Sequence, residues 1–247
     1  MDFEGVKKQA LAFRQELLTR KEQLDVDFSW YPYDTMANIF HLDAMLTGER
    51  RDLFSQIEGR TVADVGAADG DFAFFLEQRL GCSVDLIDNP LTNFNEVRAA
   101  RRLREELASE VQIHEIDLDT QVRLPRDHYD IIFFLGILYH LKNPYYVLEE
   151  LARRADRLVV STRIAQLSPD HGTDFAHLPV AYLLHPTEAN DDPTNFWIFS
   201  EAGLRRIFER TGWVVEDYVS LGATEGSDPA HGNRDERAFA LLRSTRR

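Results

Sequence analysis

The sequence predicts an α/β fold: a seven-stranded, mostly parallel sheet with helices on both faces, preceded by a helical extension. Three observations carry this. From Thr61 onward, short apolar runs of strand length alternate with helical patterns, as they do when crossover helices wind a parallel sheet. Before it, Phe3, Val6, Ala10, Phe13, Leu17 and Leu24 recur at steps of three and four, interrupted only at Arg20, which is the period of an amphipathic helix. Between the two, "VADVGAADGDF" (Val62 to Phe72) passes from an apolar strand through a glycine turn into a helix.

Residues 1–58 form the extension, in which the first helix is followed by the aromatic run "DFSWYPYD" and a second helical stretch. Residues 59–247 form the α/β domain. "TVADVG" reads as its first strand and "DFAFFLEQRL" as a helix with Phe72, Phe75, Leu76 and Leu80 on one face. "SVDLID", "VQIHEID" and "YDIIFFLG" supply the next three strands, with helix "NEVRAARRLREELA" after the second and "PYYVLEELARRA" after the fourth. "RLVVSTR" is the fifth. An irregular segment at about 164–199 interrupts the alternation, and "SEAGLRRIFERTG" resumes it, with Ser200 as N-cap and Gly212 as stop. "WVVEDYVSLG" and "ERAFALLRS" close the sheet.

Composition removes several function classes. The chain has 247 residues, 44% of them hydrophobic and 28% charged. It contains no apolar run of bilayer length and no secretory layout at its start, so no membrane partner and a cytoplasmic location are expected. A single cysteine, Cys82, allows neither a disulfide framework nor a thiolate metal site. The net charge is −14, whereas proteins that grip nucleic acid carry a basic footprint for the phosphates. The basic clusters "RAARRLRE", "LRRIFERT" and "LLRSTRR" have helical spacing and acidic neighbours, and read as solvated faces.

In open α/β sheets ligands bind beyond the carboxyl ends of the strands, near the reversal of strand order. The informative residues are therefore Gly66 to Asp71, Asp88 and Asn89, Asp117 to Asp119, and Leu135 to His140. The first of these loops fits Gly-x-Gly-x-x-Gly poorly, since Ala68 stands where a second glycine would fall. Its carboxylates, Asp69 and Asp71, argue against a pyrophosphate as well. Two like charges about 4 Å apart repel by roughly 4 kcal/mol at an effective dielectric near 20. A ligand bearing a cation suits the loop better. Asp88, eighteen residues past Gly70, is placed to accept from ribose hydroxyls, or else to cap the turn "DNP".

Together "VADVGAADG", Asp88, "IDLD" and "YDIIFFLGILYHLKNP" resemble the class I S-adenosylmethionine-dependent methyltransferases, whose sheet is Rossmann-like, over roughly residues 59–243. "FFLGILYHLKNP" and "DFSWYPYD" are similar to the tRNA wobble-uridine carboxymethyltransferase group and its relatives. The resemblance implies that Asp64 and the backbone of Gly66, Ala67, Ala68, Asp69 and Gly70 hold the methionine part of the cofactor. It gives Asp88, with Asn89 beside it, the ribose, and sets Asp117 and Leu118 at the adenine. Leu135 and Gly136 would end the fourth strand near the sulfonium, with Tyr139 facing the methyl group. The cofactor implied is S-adenosylmethionine, or its carboxylated analogue, for which Lys142 or Arg163 lies at a suitable strand end. Such a cofactor carries an ammonium and a sulfonium but no phosphate, which accords with an acidic loop.

Methyl transfer asks mainly for positioning, plus a base when the acceptor carries a proton. Tyr139 and His140 are the catalytic candidates, His140 as the base because imidazole titrates near neutrality. "NPYY" (Asn143 to Tyr146) lies seven residues past Gly136, so Pro144 reads as a helix opening, not as an amino-methylation signature. The segment 164–199 is long enough to be a lid. It holds His171, His177, Tyr182, His185, Asn190, Asp191, Asn195 and Trp197, whose spacings match no compact metal motif, so no metal is expected. Trp30, Tyr33, Arg163, Tyr182 and Trp197 are candidate substrate contacts. The expected function is methylation of a small organic acceptor. A tRNA-modifying activity and a non-catalytic cofactor-binding protein are the alternatives, and the N-terminal helix offers a seam for a homodimer.

Overall fold

The computed structural model describes residues 2–189 and 191–246; Asn190 of the lid and Arg247 of the basic tail lie outside the described residues. The chain divides into two compact units, Met1–Phe133 and Phe134–Arg247. It is of the α/β, Rossmann-like class that the sequence predicts.

In the first unit, helix α1 (Phe3–Gln23) opens on Asp2, whose side chain accepts from the Gly5 amide at 2.9 Å. Its apolar stripe of Phe3, Val6, Ala10, Phe13 and Leu17 is buried. Helices α2 (Asn38–Met45) and α3 (Leu53–Gln56) follow. Strand β1 (Thr61–Val65) leads into α4 (Asp71–Leu80), β2 (Ser83–Asp88) into α5 (Arg98–Glu106), and β3 (Gln112–Glu115) and β4 (Tyr129–Leu135) come next. The stripe of α1 packs on α4, where Phe13 meets Phe75 at 6.0 Å between ring centroids. The apolar stripe of α1 is thus buried within its own unit.

All pairings here are parallel, in the order β3-β2-β1-β4. The chain winds outward from β1 to β3 and then returns to the other side of β1. That reversal puts the ligand position at the carboxyl ends of these strands. Of β1 only Thr61 is not buried, as expected for a central parallel strand covered on both faces. Asp85, wholly inside, is satisfied by Arg126 Nε at 2.8 Å and the Tyr129 hydroxyl at 2.7 Å.

In the second unit, α6 (Pro144–Ala152) begins with Pro144 at its first position and Asn143 as cap. Strand β5 (Ala155–Ile164) pairs antiparallel with β9 (Glu236–Ser244), which pairs antiparallel with β8 (Trp213–Gly222). Ser200 caps α7 (Glu201–Arg210) through the Gly203 amide at 2.9 Å, and Gly212 follows at φ +92°. The segment 164–199 differs from the irregular run expected. It contains a small hairpin, β6 (Ala181–Leu183) against β7 (Trp197–Phe199), and β7 lies parallel to β5. Its own apolar cluster of Ala165, Phe175, Leu184, Ala189 and Ile198 explains the order. These residues are too scattered in sequence to show a period of two. Among the described residues the two short strands bring the count to nine rather than seven.

Candidate active site

The glycine loop is shaped by conformation and by close packing. Gly66 and Gly70 lie at φ +71° and +87°, and the Gly66 amide donates to the Ile87 carbonyl at 2.8 Å. A Cβ on Gly70 would stand 2.7 Å from Leu86 Cδ1 and 2.9 Å from Phe74 Cε2, so glycine is required there twice over. Buried Ala67 accepts from the Gly70 amide at 2.8 Å, closing the turn. Ala68, where a glycine was missing from the pattern, holds φ +55°. That left-handed conformation costs an L-residue roughly 1–2 kcal/mol. It is pinned from both sides, its amide by Asp88 Oδ2 at 2.9 Å and its carbonyl by Asn93 Nδ2 at 3.2 Å.

The loop's two carboxylates are both engaged by a lysine of the extension. Lys21 of α1 places its ammonium 3.1 Å from Asp69 Oδ2 and 2.8 Å from Asp71 Oδ1. Asp69 also accepts from the Tyr31 amide at 3.0 Å and from Asn95 Nδ2 at 2.8 Å. The cation that an acidic turn calls for is thus built into the protein, and Asp69 and Asp71 tie the N-terminal extension to the loop. The side chain of Asp69 thus takes three donors, all from the protein itself.

Two further carboxylates, Asp64 and Asp88, stand at the carboxyl ends of β1 and β2. Asp64 at the end of β1 is 4% exposed, and its Oδ2 has no hydrogen-bond partner. Burial, reinforced by the nearby Asp88 charge, pushes its pKa up to about 7 against the opposing Ala73 amide. Asp88 is raised to about 6, again by burial, with Asn93 and two backbone amides pulling it down. Both sequence roles of Asp88 meet in one group. Its Oδ1 accepts from the Asn89 amide at 2.8 Å, as the turn-capping role requires, and its Oδ2 takes Ala68 and Asn93. Three donors occupy three of about four acceptor positions, leaving one for a hydroxyl. The Asn89 side chain bonds the Leu91 amide at 3.1 Å and stays within its own turn.

Asp117 lies just past β3 in a turn where its Oδ1 takes the Asp119 amide at 3.0 Å, and Leu118 is buried beside it. Trp30 sits edge-on to Phe28, with the Lys21 ammonium 5.1 Å from its ring centre. Tyr33 is 71% exposed and packs against Tyr31 at 5.4 Å, which in turn meets Phe94. This aromatic run and the loop share one anchor, Lys21.

In the second unit, Leu135 is half-buried and Gly136 lies at φ +80° with its amide on the Ser161 carbonyl at 3.0 Å. Tyr139 and His140 occupy the tight turn that follows, their rings 4.3 Å apart. His140 Nδ1 lies 2.9 Å from Thr194 Oγ1 and 3.2 Å from the Thr194 carbonyl, and Thr194 Oγ1 donates to Asp192 Oδ1 at 2.6 Å. A carbonyl can only accept, so Nδ1 carries the proton and Nε2 keeps its lone pair. Burial, with help from the Arg237 charge, lowers the His140 pKa against the pull of Asp192 and the Thr194 backbone. A neutral imidazole with a fixed tautomer and a free Nε2 is the chemical form of a general base. Tyr139 is nearly buried; its hydroxyl receives Arg237 Nη1 at 3.4 Å.

Arg163 is 3% exposed and forms an ion pair with Asp235. Tyr182 packs on the lid's apolar cluster and donates to Glu188 Oε1 at 3.0 Å, which gives it a structural task there. Trp197 is half-buried in β7 with an unpartnered Nε1. Of the lid histidines, His171 joins His231 on Asp228, at 2.9 and 2.8 Å, with ligand atoms within 4.8 Å of one another. Sequence spacing could not have paired them, because Asp228 and His231 lie outside the lid. The sequence reading also missed Lys21, Asn93, Thr194 and Arg237. Lys21, Thr194 and Arg237 act across 48 to 98 residues, and Asn93, though five residues from Asp88, belongs to no short motif.

A parallel sheet with a glycine turn after its first strand and carboxylates at the ends of the first two strands has the build of a Rossmann-like ligand-binding domain. A family model described as a methyltransferase domain matches residues 41–218. The chain belongs to that family.

Solved structures agree on the fold. The N-terminal domain of EvdMO1, crystallised in the presence of SAH and D-fucose, is 18% identical over 94% of this chain and 97% of that one, with a TM-score of 0.61. TehB from Haemophilus influenzae is 15% identical over 86% of this chain and 66% of that one, with a TM-score of 0.55. The chain spans 47% of the complete EvdMO1, at 19% identity and a TM-score of 0.53. No curated protein sequence matches this one. Among the described residues no helix is long and apolar enough to cross a membrane.

Proposed function

We propose that the chain is an S-adenosylmethionine-dependent methyltransferase acting on a small organic acceptor. The observation that carries this is the pair Asp64 and Asp88. These are a buried and a half-buried carboxylate beside an αL glycine turn, the first with an orphaned oxygen and the second with a single acceptor position left. An ammonium satisfies the first and a ribose hydroxyl the second, whereas a phosphate would be repelled by both. SAH in crystals of the EvdMO1 domain supports the choice of cofactor.

When bound, S-adenosylmethionine supplies a methyl carbon already activated by its sulfonium. The residues of this chain then bind, orient and deprotonate. Asp64 neutralises the ammonium and Asp88 fixes the ribose. Gly66 and Gly70, held at positive φ, let the backbone approach without side-chain obstruction. His140 accepts the acceptor's proton at Nε2, while Thr194, itself held by Asp192, fixes its Nδ1–H. Tyr139, with Arg237 on its hydroxyl, lines the acceptor side.

Calorimetric titration with S-adenosylmethionine tests the reading. Wild type should bind, and Asp88→Ala should lose at least tenfold in affinity; absence of binding to wild type overturns it. The wobble-uridine reading rests on the likeness of "FFLGILYHLKNP". It predicts tighter binding of the carboxylated analogue and a salt-dependent complex with bulk tRNA.

A further inference from the structure

Strands β5 and β9 place two arginines directly opposite each other, in a register that pairs Arg163 with Arg237. Like charges facing each other across antiparallel strands destabilise a sheet, and a buried guanidinium is tolerated only when paired. Among the described residues both guanidiniums share one carboxylate, Asp235. Arg163 meets Asp235 Oδ1 through Nε, and Arg237 Nε stands 3.4 Å from Asp235 Oδ2. Neither Nε nor Nη1 of Arg163 makes a hydrogen bond, although the residue is 97% buried by its 3% exposure. Glu236 does not help, because its Oε2 is taken by Gln166 at 2.9 Å and Ser227 at 2.5 Å.

The cluster therefore holds a surplus positive charge and an orphaned donor. It also adjoins the acceptor-side residues. Arg237 Nη1 reaches the Tyr139 hydroxyl at 3.4 Å, and a Cβ built on Gly136 would lie 3.7 Å from that hydroxyl and 3.9 Å from Arg237 Nη1. Arg237 and Asp235 are each about one-third exposed, so the charge is reachable from the Arg237 side.

We propose that Arg163 and Arg237 form an anion clamp for the acceptor, and that the methyl acceptor bears a carboxylate. Guanidinium forks match carboxylates in a bidentate manner. Asp235 is the internal stand-in, holding the two forks until an external carboxylate takes the free edges of Arg163 and Arg237. The inference rests on the methyltransferase reading only in calling the ligand an acceptor; the clamp is a property of the second unit's own residues.

The test uses the full chain with matched probes, acetate against acetamide and benzoate against benzamide, titrated calorimetrically at constant ionic strength. Cofactor binding is measured in parallel. At least one carboxylate should bind wild type tenfold or more tightly than its amide. Arg163→Gln and Arg237→Gln should each abolish that preference while leaving S-adenosylmethionine affinity within about twofold. Asp235→Asn, which removes the internal competitor, should tighten carboxylate binding severalfold. This gain is not expected of arginines that merely brace the sheet, and it is readable even if Arg163→Gln fails to fold. Equal affinity for carboxylate and amide in wild type overturns the clamp, as does a loss of carboxylate affinity in Asp235→Asn. Failure of S-adenosylmethionine to bind overturns the methyltransferase reading instead, and leaves the anion result standing.

Discussion

Asp64→Asn should stabilise the cofactor-free protein at neutral and alkaline pH while weakening its hold on S-adenosylmethionine. The native fold holds the Asp64 proton from an ordinary 3.8 up to about 7. Each pH unit of that interval is worth about 1.4 kcal/mol, so the ionised carboxylate costs the fold on the order of 4 kcal/mol above pH 7. The sign follows from proton binding. Between pH 4 and 7 the native state binds more protons at this site than the unfolded chain, so wild-type stability falls as pH rises through that window and levels off above it. Asparagine keeps the shape, does not titrate, and removes that slope. Urea unfolding of both proteins at pH 5, 6, 7 and 8 measures the difference. The variant's relative stability should climb across the series toward a gain of a few kcal/mol at pH 8. The ligand reverses the order, since its ammonium compensates the wild-type charge and finds nothing to neutralise in the variant. A stability difference independent of pH would refute the reasoning, because it would mean that Asp64 is ionised at no cost in the fold.

Gly70→Ala should cost about 2–3 kcal/mol by adding a left-handed penalty to a clash with Leu86 and Phe74; thermal or urea unfolding reads it directly. Ala68→Gly relieves strain at φ +55° but loosens the unfolded chain, so stability should rise by no more than about 1 kcal/mol, and a loss larger than that contradicts the account of the loop. Lys21→Met leaves two carboxylates facing each other without their shared cation and should destabilise by about 3 kcal/mol, accompanied by increased hydrogen exchange at the Tyr31 amide. Once an acceptor is in hand, His140→Asn should lower kcat by about 10²–10³ with little change in cofactor affinity. Wild-type kcat/KM should fall with acid only below the ordinary histidine range, since burial holds the His140 pKa down.

Much of the fold was legible because its signals are local. The step of three and four in α1, the glycine turn after β1, Pro144 at a helix start and Ser200 as a cap each sit within one short window, and each element stands where its residues predict. The hairpin inside 164–199 was not legible, since β6 and β7 are three residues each and are ordered by a cluster gathered from Ala165 to Ile198. The candidate site divides in the same way. Asp64, Gly70, Asp88, Tyr139 and His140 belong to strand ends and could be read in line. Their states could not, because the form of His140 depends on Thr194, 54 residues away.

The sequence by itself determined the class of sheet, the glycine turn and the presence of acidic groups around it. The tertiary structure decided which of those groups are free. Charge is written into the chain residue by residue, but whether a carboxylate is available depends on what folding brings within a few ångströms. Lys21 bridges Asp69 and Asp71 from a helix 48 and 50 residues earlier, while Asp64 is left buried with an oxygen unpaired.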